Sequence, residues 1–137
     1  MKSFHLELVT PEKTLYSQDV EEVILPTSSG QITILADHEP LITQLVVGEI
    51  IVKKNGEQDY LATYGGFIEV ADNQVRVLAD LAEHAHEINE LEVAEAKKRA
   101  ETAMKEKRST AEYAQAAAEM ERALAREKVA QRKRKRH

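Results

Sequence analysis

Histidine and acidic side chains gather at two places where chemistry could be done. Glu83-His84-Ala85-His86-Glu87 sets two imidazoles two residues apart between carboxylates. On an extended backbone such residues share a face and could hold a divalent metal. The same residues also make a polar hinge between domains, which is the preferred reading. His38 stands between Asp37 and Glu39, just before Pro40. No serine or other nucleophile can be placed beside it from the sequence, so a loop histidine at a subunit contact is expected, not a catalytic base. Gly65-Gly66 precedes a strand pattern, not a helix, and implies no phosphate-cradling loop. Without cysteine the chain can form neither disulfides nor thiolate metal sites, as suits a reducing compartment. No catalytic residue, cofactor or metal is expected.

The elements around these residues divide sharply. All three prolines and all five glycines fall within the first 66 residues, and the remaining 71 have none. The front half therefore has the turn chemistry of a sheet, and the back half has nothing to interrupt helices. Phe4, Leu6 and Leu8 alternate with polar neighbours as a half-buried strand should. Further strands are expected at Val20–Leu25, Ile32–Leu35, Leu41–Val47, Ile50–Lys54, Tyr60–Thr63, Phe67–Ala71 and Val75–Ala79. Asn55-Gly56 offers the two positive-φ residues of a type I′ hairpin turn, and Asp72-Asn73 marks a second hairpin. Strands at this spacing predict an antiparallel β-sandwich or flattened barrel over residues 1–85.

Residues 86–137 read as an antiparallel two-helix hairpin. Asn89 with Glu92 forms a capping box, and Ile88 with Val93 a hydrophobic staple. The first helix should reach about Lys107. Ser109 with Glu112 repeats the signal, starting a second helix at Thr110 that runs to about Val129. Val93, Ala96, Ala100 and Ala103 are expected to face Tyr113, Ala117, Met120 and Leu124. Alanine removes little apolar area from water at roughly 25 cal/mol per Å², so the seam is weak and the arm could detach and straighten.

Charge is divided along the same line. Up to Ala85 there are five Lys/Arg against fourteen Asp/Glu, and from His86 onward fourteen against ten. Beyond Glu121 eight basic residues face only Glu127. An acidic body with a basic tip can aim that tip at an acidic protein surface, nucleic acid or anionic lipid. A free-standing nucleic-acid-binding protein is the competing reading, opposed by the acidic body and an aromatic content of 4% with no tryptophan. The polar N-terminus, and the lack of any apolar run near the ~20 residues of a spanning helix, predict a chain that is soluble or reaches a membrane through a partner.

Three segments carry a family resemblance. Gly30-Gln31-Ile32-Thr33-Ile34-Leu35-Ala36-Asp37-His38-Glu39-Pro40-Leu41, Tyr64-Gly65-Gly66-Phe67-Ile68-Glu69-Val70 and Val75-Arg76-Val77-Leu78-Ala79-Asp80-Leu81-Ala82-Glu83 resemble, in order, signature segments of the epsilon subunit of bacterial F-type ATP synthases. The resemblance covers essentially the whole chain. It implies a non-catalytic central-stalk subunit at the cytoplasmic face of the cell membrane. The β body would bind the gamma subunit and the c-ring and so couple proton flow to rotation. The helical arm would extend along gamma toward the catalytic alpha/beta ring and restrain ATP hydrolysis.

The resemblance also implies contacts. Gln31, His38 and Glu39 fall on the c-ring and gamma side, and Arg122, Arg126, Arg132 and Lys133 toward an acidic segment of the beta subunit. Some bacterial members bind ATP in the folded hairpin through Ile/Leu-Asp-x-x-Arg-Ala. Here the stretch is Ile88-Asn89-Glu90-Leu91-Glu92-Val93. Glu83, Arg99, Arg122 and Arg126 match such members and form a remnant of that pocket. Glutamate at the arginine position would repel phosphate at close range, so no ATP or other cofactor is expected.

Overall fold

The computed structural model describes residues 2–106 and 109–132. The chain forms two compact units, Met1–His84 and Ala85–His137. The first holds eight strands: β1 Phe4–Val9, β2 Thr14–Val20, β3 Glu22–Thr27, β4 Gly30–Leu35, β5 Leu41–Lys54, β6 Glu57–Ala71, β7 Gln74–Ala79 and β8 Ala82–His84. Their order is β2-β1-β7-β6-β5-β3-β4, with β8 added to β6. All pairings are antiparallel except β1 with β7, which run parallel.

The sheet follows from period-two patterning. Phe4, Leu6 and Leu8 of β1 and Val75, Val77 and Ala79 of β7 are buried, and their neighbours face outward. Leu25, Ile34, Leu45, Ile50, Leu61 and Ile68 complete a core without tryptophan. Both turn expectations hold: Asn55 and Gly56 have φ of 51° and 79°, and Asp72 and Asn73 have 52° and 58°. Cross-strand ion pairs sit on the registered positions, Glu7 with Arg76 and Glu22 with Lys53.

Several strand boundaries differ from expectation. Val20–Leu25 is not one strand; it spans the junction of β2 and β3, and β2 had no expected counterpart. The segments expected at Leu41–Val47 and Ile50–Lys54 are one strand, β5, and those at Tyr60–Thr63 and Phe67–Ala71 are one strand, β6. Gly65 and Gly66 lie inside β6, where its pairing passes from β8 to β7. A Cβ on Gly66 would stand 2.1 Å from the Leu78 carbonyl oxygen. Tyr16 of β2 is buried, with Asp59 of β6 near its hydroxyl. Burial first, and then the Asp59 charge, raise the Tyr16 pKa above its usual 10.0.

In the second unit a 3-10 turn, Ala85–Glu87, precedes α1 Glu90–Glu106 and α2 Thr110–Ala130. Asn89 Oδ1 accepts from the N–H groups of Leu91 and Glu92 at 2.9 and 3.2 Å. Ser109 Oγ accepts from Glu112 N–H at 3.1 Å. Both caps are those the sequence signalled.

The seam between α1 and α2 lies partly elsewhere than expected. Val93 and Ala100 are buried and Ala96 half-buried, but Ala103 is exposed. On α2 the buried residues are Ala116, Ala123, Val129 and Ala130, while Tyr113 and Leu124 are 40% and 46% exposed. Residues 93 and 100, and 116, 123 and 130, recur at intervals of seven, the spacing of a narrow coiled-coil stripe. Alanines on that stripe let two helices approach closely, and the larger side chains are displaced to the flank. Each buried alanine contributes well below the ~1.5–3 kcal/mol of a buried leucine. Lys97 Nζ reaches Glu127 Oε2 across the seam at 3.1 Å, a partly exposed pair worth roughly 0.2–1 kcal/mol.

Candidate functional site

The docking residues expected in the β unit fall at two places. Gln31 lies exposed near the start of β4, opposite Pro26. His38 and Glu39 follow the other end of that strand. Leu35 lies four residues beyond Gln31 along the strand, about 13 Å of rise, so Gln31 does not join the other two in one cluster.

The β4–β5 loop that carries His38 is held from several sides. Asp37 adopts φ 63°, and its N–H donates to Asn73 Oδ1 at 2.8 Å. Lys2 Nζ lies 3.4 Å from Asp37 Oδ2. Within the loop His38 Nδ1 donates to the Glu39 carbonyl at 2.7 Å. A carbonyl can only accept, so the proton is on Nδ1, and in the neutral ring Nε2 presents an acceptor.

Beside this loop β5, β6 and β7 expose apolar side chains. Phe67 stands opposite Leu78 in the register, and Ile42 lies diagonally across from Phe67 on β5. They are 61%, 47% and 76% exposed. Large apolar groups left in water next to one another mark a surface that another molecule covers. The sequence missed this patch because only the register reveals which face each residue takes.

The residues expected in a remnant nucleotide pocket belong to β8, α1 and α2. Glu83 belongs to β8, where its carboxylate accepts from the Tyr64 hydroxyl at 2.7 Å. Arg99 is exposed on α1, around an open depression with Glu95, Lys98, Thr102, Ala103 and Glu106. Arg122 and Arg126 lie one turn apart on α2, the first exposed and the second half-buried, and Arg132 follows the helix end. Lys133 and the rest of the basic tail lie outside the described residues. Glu92 occupies the first turn of α1, where a carboxylate suits the positive end of the helix dipole.

The two hinge histidines sit in different local structures. His84 ends β8 and donates from Nε2 to the Leu15 carbonyl at 3.3 Å. His86 is exposed in the 3-10 turn, so the extended geometry that would set both imidazoles on one face stops at His84.

One chemical arrangement escaped the sequence. His5 Nδ1 lies 3.1 Å from Asp19 Oδ1, and His5 Nε2 lies 3.3 Å from Ser17 Oγ. This is the acid–base–nucleophile order of a hydrolase triad, assembled by the β1–β2 register. All three stand on an open sheet face with Asp19 72% exposed. Water there screens the developing charge that a hydrolase site must stabilise, so the chain of bonds ties two strands together and nothing more.

The arrangement of an eight-stranded β unit followed by two helices can be set against known proteins. A family model described as ATP synthase, Delta/Epsilon chain, beta-sandwich domain matches residues 3–85, and one described as ATP synthase, Delta/Epsilon chain, long alpha-helix domain matches residues 86–131. The chain belongs to the ATP synthase Delta/Epsilon chain family. Relatives named ATP synthase epsilon chain include one from Caldanaerobacter subterraneus subsp. tengcongensis, 43% identical over 94% of each chain. Another, from Herpetosiphon aurantiacus, is 43% identical over 96% of each chain. Among solved structures, a chain of the Euglena gracilis mitochondrial ATP synthase (OSCP/F1/c-ring) aligns with a TM-score of 0.83 and 24% identity, over 92% of this chain and 80% of that one. A chain of the Tetrahymena thermophila mitochondrial ATP synthase central stalk/c-ring aligns with a TM-score of 0.62 and 16% identity, over 94% and 97%. At such identities these two likenesses are of fold. The family thus fits the two-part architecture that the sequence predicted.

Proposed function

We propose that this chain is a non-catalytic subunit of the central stalk of a rotary, proton-transporting ATP synthase. Its β unit binds the gamma subunit and the c-ring, so that ring rotation is coupled to ATP synthesis. Its helix pair opens and reaches the acidic segment of the catalytic beta subunit, restraining ATP hydrolysis. The chain works at the cytoplasmic face of the cell membrane and is held there by the complex; none of its described helices is long and apolar enough to cross.

The observation that carries this reading is the apolar patch of Ile42, Phe67 and Leu78 beside the pinned His38 loop, in a chain of this family. A β unit with such a surface is built to be covered. The weak alanine seam of the hairpin, crossed by the partly exposed Lys97–Glu127 pair, supports the mobile role of the arm. Co-purification tests the docking half. The full chain is expected to be retained on a gamma–c-ring assembly through salt washing, because the patch is apolar. Replacing Phe67 and Ile42 with serine should release it. Retention unaffected by both substitutions would overturn the assignment of this surface.

The hairpin of this chain is a poor ATP site. Supporting this, Glu92 carries negative charge at the position where ATP-binding members carry arginine, and Asn89 offers a cap without a carboxylate. Calorimetry on the isolated chain is expected to show no saturable binding at micromolar ATP, and a micromolar Kd would contradict it. Asn89→Asp combined with Glu92→Arg should strengthen binding.

A further inference from the structure

We propose that Asn73 is the positioning residue of the β4–β5 loop, holding Asp37, His38 and Glu39 in the conformation that docks. The proposal rests on the docking role of the β unit given above. It goes beyond that role by naming the residue, remote in sequence, on which the loop's shape depends.

Asn73 is the second residue of the tight turn between β6 and β7, with φ 58°. Its side-chain amide is used at both ends. Oδ1 accepts from Asp37 N–H at 2.8 Å, and Nδ2 donates to the Ser3 carbonyl at 3.0 Å. Its own carbonyl accepts from His5 N–H at 3.3 Å. One residue thereby ties together the start of β1, the β4–β5 loop and the β6–β7 turn, segments 36 and 70 residues apart.

The loop needs this tie. Asp37 is held at φ 63°, a conformation that non-glycine residues adopt sparingly. The other side-chain contact on Asp37 is the Lys2 ion pair, which is long and exposed and so contributes little. With the Asn73 bond made, the backbone at Asp37 is fixed, and the next residue inherits its direction. His38 is then held by its own bond to Glu39, and Nε2 of the neutral ring is an acceptor. A partner N–H or O–H donor fits that acceptor. Ordering backbone costs conformational entropy, and a loop ordered beforehand spares the complex that cost.

Asparagine also favours positive φ by itself, so Asn73 could simply be a good turn residue. Substitution by glycine separates the two roles. Asn73→Gly keeps or improves the turn and removes only the amide. Three measurements on the full chain follow. Amide exchange should show Asp37 losing protection in Asn73→Gly, while Val70 and Val75 across the hairpin keep theirs. Affinity for a gamma–c-ring assembly stripped of this chain should fall about tenfold, with roughly one residue's ordering returned to the binding step. In a double-mutant cycle His38→Ala should cost much less in the Asn73→Gly background than in the wild type, because both act through one loop. Asn73→Asp, which keeps an acceptor for Asp37 but loses the donor to Ser3, should fall between.

Wild-type affinity in Asn73→Gly overturns the proposal. Equal costs of His38→Ala in both backgrounds overturn it as well, because a merely structural role would be additive. If the wild-type chain itself fails to rebind the stripped assembly, the docking reading fails first.

Discussion

Gly66→Ala is expected to destabilise the β unit by about 3 kcal/mol or more, at the tightest of the five glycine positions. Two costs coincide there. Gly66 has φ 141°, where only glycine is comfortable, and the added Cβ would meet the Leu78 carbonyl oxygen at 2.1 Å and the Ala79 Cα at 2.9 Å. Both obstacles are backbone of the paired strand β7, so neither can rotate away, and the β6–β7 ladder would have to part. At roughly 4–8 °C per kcal/mol for a domain of this size, the melting temperature should fall by at least roughly 12 °C. Gly56→Ala is the control. That glycine is also at positive φ, 79°, but nothing lies within 4 Å of its added Cβ, so about 1 kcal/mol is expected. A Gly66→Ala protein melting within a few degrees of wild type would show that β6 does not approach β7 in this way. The same substitution should weaken docking, since Phe67 and Leu78 flank the distorted pair.

The local signals in this sequence were the readable ones. Asn55-Gly56, Asp72-Asn73, Asn89 and Ser109 act within four residues, and each formed the turn or cap it signalled. Longer-range features were read less well, for identifiable reasons. β2 carries Ser17, Gln18 and Asp19 in an edge strand exposed on that stretch, so its polarity hid it. Gly48 and the Gly65-Gly66 pair look like breaks in the sequence but lie inside single long strands. Tyr113 and Leu124 were expected in the seam because they share one helical face with Ala117 and Met120. The interval of seven joining Ala116, Ala123 and Ala130 was the better guide. The Asn73 clamp and the His5–Asp19–Ser17 chain exist only once the strands are in register, and no sequence pattern announces either.

Removing the helical arm should have the largest functional effect. Arg122, Arg126 and Arg132 place positive charge along the second helix and its end, ahead of the basic tail. Against an acidic segment of the beta subunit each pair would contribute about 0.2–1 kcal/mol, since the partners are mostly solvated. Under the proposed restraint, three together would shift an open–closed equilibrium roughly 3- to 150-fold, enough to change how often the arm would reach the catalytic ring. Salt should erode the effect, because the Debye length is about 8 Å at physiological ionic strength. The triple alanine variant should therefore hydrolyse ATP several-fold faster at low salt and approach wild type as salt is added. The account is tested most directly by measuring ATP synthesis and ATP hydrolysis on assembled complexes that carry either the full chain or a chain ending at Glu87. The account predicts that the shortened chain still assembles and supports proton-driven synthesis, with hydrolysis raised beyond that of the triple variant. Failure of the shortened chain to assemble, or hydrolysis equal to that with the full chain, would contradict the division between a docking β unit and a restraining helical arm.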